Sequence, residues 1–166
     1  MGYLFETLDV LVVDDSDQMR NYLKSVLEVF RVPRVRAAAD GSEAMQLIRE
    51  DPPGMLITDL QMAPTDGIEL VRWLRNAPDS PGRFIPTIMV TASTDASVLA
   101  QARNSGLHDI LTKPVTPQAL ERSIASIVGD PPPFIRTRNY FGPERRRAVR
   151  GARPVERRVP AGVPAA

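Results

Sequence analysis

The chain has 166 residues, 43% of them apolar, and a formal net charge of +1. That length predicts one domain with room for a tail. The absence of cysteine excludes a disulfide framework and any cysteine-based zinc or redox site, and it fits a reducing cytoplasm. The opening MGYLFETLDV has no basic n-region followed by a long apolar run, so no secretory signal is expected. Glu6 departs from the myristoylation pattern. No stretch approaches the ~18 apolar residues of a membrane span.

The small net charge hides an asymmetry. Residues 1–130 carry 12 Lys/Arg against 18 Asp/Glu, a net of −6. Residues 131–166 carry nine Arg against two Glu, a net of +7, and hold seven of the 16 prolines. The chain therefore divides at the prolines 131–133 into an acidic globular body, residues 1–130, and a basic, Pro/Arg-rich extension, residues 131–166.

In chain order, Val10 to Val13 is a short continuous apolar run, the pattern of a strand buried on both faces. Ser16 can cap a helix that carries Met19, Tyr22, Leu23, Val26, Leu27 and Phe30 at helical spacing, with Pro33 helping to end it. Arg34 to Ala38 is a weaker strand, and Gly41 to Arg49 a second helix with Ala44, Leu47 and Ile48 inward. After the turn Asp51-Pro52-Pro53-Gly54, Met55 to Thr58 forms the central strand. Ile68 to Arg75 is a third helix and Ile85 to Val90 a fourth strand. A helix over Val98 to Arg103 ends at Gly106, and Asp109 to Leu111 is a fifth strand. Thr116 can cap a last helix with Leu120, Ile124, Ile127 and Val128 on one face. The order is βα repeated five times, which demands a mostly parallel sheet covered on both faces.

In such sheets ligands bind beyond the carboxyl ends of the strands. Asp14-Asp15, Asp59, Thr91 and Lys113 all fall there. Three carboxylates brought together repel one another, and a cation between them relieves the repulsion. Oxygen-only ligation points to Mg²⁺ or Mn²⁺ rather than zinc. Asp59 is then the candidate nucleophile toward a phosphoryl group, with Lys113 and the Thr91 hydroxyl binding the remaining oxygens. Read singly, Asp14-Asp15 suits a helix N-terminus and Thr91 suits a helix cap. His108 reads as a loop or strand-edge residue and Trp73 as packing.

With these residues in this order, the chain resembles the receiver domain of two-component response regulators, the CheY-like family, over roughly residues 8–128. The resemblance implies a doubly wound (βα)5 fold of flavodoxin-like strand order 2-1-3-4-5. It implies that Asp59 is phosphorylated and that Mg²⁺ is bound by Asp15, Asp59 and the backbone carbonyl of Gln61, with Asp14 completing the acidic pair. It implies a cis Lys113-Pro114 bond. The implied partners are a histidine kinase or phosphotransfer protein and a downstream protein target. The chain would not be a dedicated enzyme but a phosphoacceptor that promotes its own Mg-dependent phosphotransfer and dephosphorylation. Two positions depart from the family pattern. Ile110 stands where an aromatic residue is common, three before the Lys, and Ala63 stands where a proline is usual, with Pro64 next.

The extension reads FIRTRNYFGPERRRAVRGARPVERR. Its blandest reading is a mostly disordered, solubilising tail. Against that, Tyr140 with Arg145, Arg146, Arg147 and Arg150 forms a candidate set for an anionic nucleotide, because guanidinium groups pair with phosphate and stack on bases. A second, weaker resemblance is to CheY-like proteins whose arginine-rich extension binds cyclic di-GMP and engages the flagellar motor. The RxxxR spacings of Arg146/Arg150 and Arg153/Arg157 fit that reading but arise easily in an Arg-rich segment. The remaining alternative is a basic tail on nucleic acid, anionic lipid or another polyanion. No DNA-binding helix-turn-helix or output enzyme domain follows the body in this sequence, so output through protein contact is expected.

Overall fold

The computed structural model describes residues 5–145 and 158–159. The body alternates strand and helix: β1 (Asp9–Val13), α1 (Asp17–Val29), β2 (Arg34–Ala38), α2 (Gly41–Glu50), β3 (Met55–Asp59), α3 (Gly67–Asn76), β4 (Thr87–Thr91), α4 (Ala96–Asn104), β5 (Asp109–Thr112) and α5 (Pro117–Gly129). The five strands are parallel, in the order β2-β1-β3-β4-β5. This is the doubly wound, flavodoxin-like fold expected from the pattern and the resemblance.

Local chemistry starts every helix. Ser16, Asp40, Asp66, Asp95 and Thr116 stand at the N-caps, each accepting from a backbone N–H of the first turn. Glu43 reaches back to the Ala39 N–H at 2.8 Å, so two otherwise orphaned donors are satisfied at the start of α2. Continuous apolar strands are needed because both faces of the sheet are covered. On one face Val10, Val12, Ile57 and Val90 pack against Leu23 and Leu27 of α1 and Leu120 and Ile124 of α5. On the other, Leu11, Val13 and Leu56 meet Ala44 and Ile48 of α2 and Leu70 and Leu74 of α3. A third cluster joins Val71 and Met89 to Ala102 and Leu107 around α4.

The expectation of a disordered extension fails for its first part. Phe134–Arg136 (β6) and Phe141–Pro143 (β7) form an antiparallel hairpin, and Arg158–Val159 (β8) pairs with the other edge of β6. The physical reason is aromatic burial. Phe134 and Phe141 are each 3% exposed and pack edge-on against Phe84, with centroids 5.0 and 5.7 Å away. Packing therefore continues across the prolines 131–133, where composition divides the chain. Arg146, Arg147, Arg150, Arg153 and Arg157 lie outside the described residues.

Beneath this hairpin lies Arg75, fully buried. Its guanidinium donates to Gly106 O at 3.0 Å, Arg83 O at 2.8 Å, Ile85 O at 2.7 Å and Thr87 Oγ1 at 3.3 Å. It also sits 5.0 Å from the Phe134 ring centroid. Burial pushes its pKa down to about 9, which still leaves it charged at neutral pH. His108 packs against Phe134 at 5.6 Å, and its Nδ1 accepts from the Thr87 N–H at 3.2 Å. Burial first, and the Arg75 charge second, lower the His108 pKa to about 3, so the ring is neutral. The structural reading of His108 therefore holds. Gly106 adopts φ +110°, and a Cβ there would come within 2.7 Å of Phe141 O, so the body's backbone is shaped to receive the hairpin.

Phe134→Ala is expected to cost about 3 kcal/mol, typical of emptying a buried aromatic position. Ile135→Ala, half-exposed on the same strand, should cost much less. Urea unfolding of the full chain checks both, and equal midpoints for Phe134→Ala and the parent would mean that the hairpin does not pack on the body.

Candidate functional site

The parallel sheet delivers the predicted residues to one rim. Asp14 and Asp15 follow β1, Asp59 and Thr91 are the last residues of β3 and β4, and Lys113 follows β5. Asp14 is 1% exposed, Asp59 7% and Thr91 0%, whereas Asp15 is exposed. Asp14, Asp15 and Asp59 each offer a carboxylate oxygen, all within 4.8 Å of one another. Lys113 Nζ donates to Asp14 Oδ2 at 3.1 Å and lies 3.5 Å from Asp59 Oδ1. Gln61 is exposed and lines the open cleft at this rim with Asp15, Leu60 and Ala63.

The backbone holds the carboxylates in place. Asp14 Oδ1 accepts from the Ser16 N–H at 2.9 Å, and Asp59 Oδ1 accepts from the Leu60 N–H at 2.8 Å. Thr91 Oγ1 accepts from the Ser93 N–H at 3.0 Å, leaving its own hydrogen to donate elsewhere. The Lys113-Pro114 bond is cis, as the resemblance implied, and Ala63-Pro64 is cis as well.

The electrostatics are those of an acid cluster short of positive charge. Burial, and then the Asp14 carboxylate, push the Asp59 pKa above the ordinary carboxylate value, against the opposing pull of Lys113. Burial alone would lower the Lys113 pKa, but hydrogen bonds and the charges of Asp14 and Asp59 outweigh it and raise it. One ammonium faces three carboxylates, all oxygen donors converging on one place. That donor set fits a hard divalent cation.

Sequence reasoning missed two contributors to this rim and one buried cation at the opposite end of the sheet. Arg20 donates to the Asp14 backbone carbonyl at 2.6 Å; an arginine six residues past an acid carries no distinctive signal. Gly67 packs on the Asp59 backbone, where a Cβ would lie 2.1 Å from Asp59 O. Its signal was the Asp66-Gly67 pair. The third is Arg75, whose side chain occupies the apolar stripe of α3 with Ile68 and Val71. Two members of the tail set are described, and both make contacts within the chain. The Tyr140 hydroxyl donates to Pro143 O at 2.8 Å, and Arg145 sits 4.2 Å over the Tyr140 ring while donating to Asn104 Oδ1 at 3.1 Å.

Comparison with known proteins matches the response regulator receiver domain over residues 10–125. The chain belongs to the response regulator receiver family. It is 32% identical over 123 residues to chemotaxis protein CheY1 of Helicobacter pylori, covering 74% of this chain and 98% of that protein. It is 33% identical over 119 residues to the probable transcriptional regulator ycf27 of Porphyridium aerugineum, covering 72% of this chain but only 47% of that protein. Among solved structures it is similar to chemotaxis protein CheY4 of Vibrio cholerae, with a TM-score of 0.65 and 28% identity, covering 72% of this chain and 98% of that one. The family match ends at residue 125, ahead of the extension. Among the described residues no helix is long and apolar enough to cross a membrane.

A raised carboxyl pKa has a definite sign in stability. The folded receiver binds the Asp59 proton more tightly than the unfolded chain, so Asp59 erodes stability as pH rises from the ordinary carboxylate range through its raised folded pKa. Asp59→Asn is therefore expected to stabilise the metal-free receiver, with a gain that grows across that window and then levels off. Urea unfolding of both proteins in EDTA from pH 4 to pH 7.5 measures it. A gain independent of pH would show that ionised Asp59 is not under strain.

Proposed function

We propose that Asp59 is the phosphoacceptor of a phosphorelay, charged by a histidine kinase or phosphotransfer protein. The observation that carries this reading is the near-buried Asp59 carboxylate, within 4.8 Å of the Asp14 and Asp15 oxygens and 3.5 Å from Lys113 Nζ. An Asp59 oxygen attacks the phosphorus of a phosphohistidine. The new O–P bond forms as the N–P bond breaks, and the imidazole leaves with the electron pair and takes up a proton. Lys113 and the Thr91 hydroxyl bind the phosphoryl oxygens. Positioning and charge neutralisation supply most of the rate in such transfers. The side chains of Asp14, Asp15 and Asp59 and the Gln61 carbonyl would hold Mg²⁺. When bound, that ion neutralises carboxylate and phosphoryl charge together.

Phosphorylation then changes the charge at the rim and shifts the balance between conformations that differ in affinity for a downstream protein. Ile110 is half-buried against the α4 cluster. With a branched aliphatic residue there, the switch operates without a ring that turns in response to Thr91. In the parent, incubation with acetyl phosphate and Mg²⁺ is expected to add about 80 Da by intact-mass spectrometry, the mass of a phosphoryl group less one hydrogen, as one acyl phosphate per chain forms. Asp59→Asn should show none, and Lys113→Ala should show slow or incomplete labelling. A labelled Asp59→Asn protein would refute the assignment.

A second reading makes the chain a cyclic di-GMP effector acting on motility through the flagellar motor. The observation in its favour is Arg145 stacked on Tyr140, a guanidinium–aromatic pair of the kind that sandwiches bases. Calorimetric titration of the full chain with cyclic di-GMP tests it. The reading expects micromolar or tighter binding that Arg145→Ala weakens by about tenfold, roughly 1.4 kcal/mol. Absence of heat removes it and leaves the phosphorelay reading untouched.

A further inference from the structure

The extension builds a groove at the end of the sheet opposite the acid cluster. Its walls are the C-terminal turns of α3 and α4 and the turn between β6 and β7. Arg72, Arg136 and Arg138 line it, together with Trp73, Asn76 and Asn104. The three arginines are exposed, and none forms an ion pair among the described residues. Arg136 is held in place over the Phe141 ring at 4.3 Å. No Asp or Glu lines the groove.

Three guanidinium groups around one concavity, with no carboxylate between them, repel one another as the acids do at the other rim. An anion relieves this, and arginine forks match phosphate oxygens in pairs. The rest of the lining says more about that anion. Trp73 lines the groove, and Arg49 lies 5.0 Å from its ring centroid. Asn76, Asn104 and Asn139 also line it; Asn76 Nδ2 donates to Arg72 O at 3.0 Å and Asn104 Oδ1 accepts from Arg145 at 3.1 Å, so Asn76 keeps its acceptor and Asn104 its donors for the edge of a base. A groove of about 720 Å³ falls within the roughly 300–1,000 Å³ of small-molecule sites. An acidic peptide would need apolar anchor pockets, and here the large apolar rings of the hairpin are already buried. We propose that this groove binds a nucleotide, its phosphate on Arg72, Arg136 and Arg138 and its base against Trp73. The proposal does not rest on phosphotransfer at Asp59. Apart from Tyr140, which also lines the groove, its residues differ from the Arg-rich set of the extension.

Trp73 is the one tryptophan of the chain, so fluorescence excited at its red edge reports on that single ring in the groove lining. Guanosine 5′-monophosphate and adenosine 5′-monophosphate are titrated into the full chain, with inorganic phosphate and a short single-stranded oligonucleotide as comparison probes. Saturable quenching by at least one mononucleotide is expected, weakened about tenfold or more in Arg72→Ala and in Arg138→Ala and unchanged in Lys24→Ala, which removes an exposed charge on α1. Urea midpoints of the variants verify that each is folded. Quenching that does not saturate, that survives both arginine substitutions, or that phosphate alone competes away at equal concentration would overturn the proposal. So would an oligonucleotide bound tenfold more tightly than either mononucleotide, which would make the groove a nucleic-acid contact.

Discussion

Lys113 donates to Asp14 at 3.1 Å across the rim of the sheet, and the arrangement of the site depends on that contact. The two residues follow β1 and β5, with β3 and β4 lying between those strands. One ammonium thereby reaches the carboxylates of two other strands at once. Without it, Asp14 and Asp59 would stand almost buried with like charge and no counter-charge from the protein, a costly arrangement in a medium less polar than water. With it, the cluster is held together but remains short of positive charge. That deficit is the chemical opening for a divalent cation.

The opposite rim solves the reverse problem. Arg75 is fully buried and meets carbonyl and hydroxyl oxygens instead of a carboxylate. Three of those oxygens are backbone carbonyls of the loops entering β4 and β5 and the fourth is the Thr87 hydroxyl at the start of β4, so the guanidinium ties the two loops together. The cost of keeping a cation there appears in its pKa, lowered to about 9. Phe134 of the extension closes over the guanidinium, and neutral His108 completes the wall. The hairpin is thus the cover of a buried charge, which explains why a segment with so many arginines and prolines folds at all in its first part.

The body was legible because each of its signals was local and repeated. Four apolar runs ending in Asp14-Asp15, Asp59, Thr91 and Lys113 marked both the strands and the rim, and Ser16 and Thr116 marked helix starts that the structure keeps. Boundaries moved by one or two residues, as where β4 begins at Thr87 rather than Ile85 because Ile85 and Pro86 still belong to the entering loop. The hairpin was not legible. Its strands are three residues each, too short for a period, and their burial depends on Phe84, a residue some fifty positions away in sequence. Composition there pointed to disorder, and a long-range aromatic contact overrode it. Arg75 escaped notice for a related reason: pattern reading treats an arginine as a surface residue, and only the carbonyls gathered by tertiary folding make its burial affordable.

The two rims are joined by one element. α3 starts at Gly67, packed on the Asp59 backbone, and its last turns carry Arg72, Trp73 and Arg75. Ten residues of helix span about 15 Å at 1.5 Å per residue, so a shift of its N-terminus reaches the hairpin with little loss. Contiguity alone is not coupling. Coupling requires that events at the two ends favour different positions of α3, and the packing supplies a reason for discrete positions. Leu70, Val71 and Leu74 are fully buried between the sheet and the neighbouring helices, and close-packed side chains move between alternative fits rather than by continuous sliding. The carboxylate rim and the arginine groove can therefore affect one another only to the extent that each prefers one seating of the same helix, and by linkage the preference must act equally in both directions.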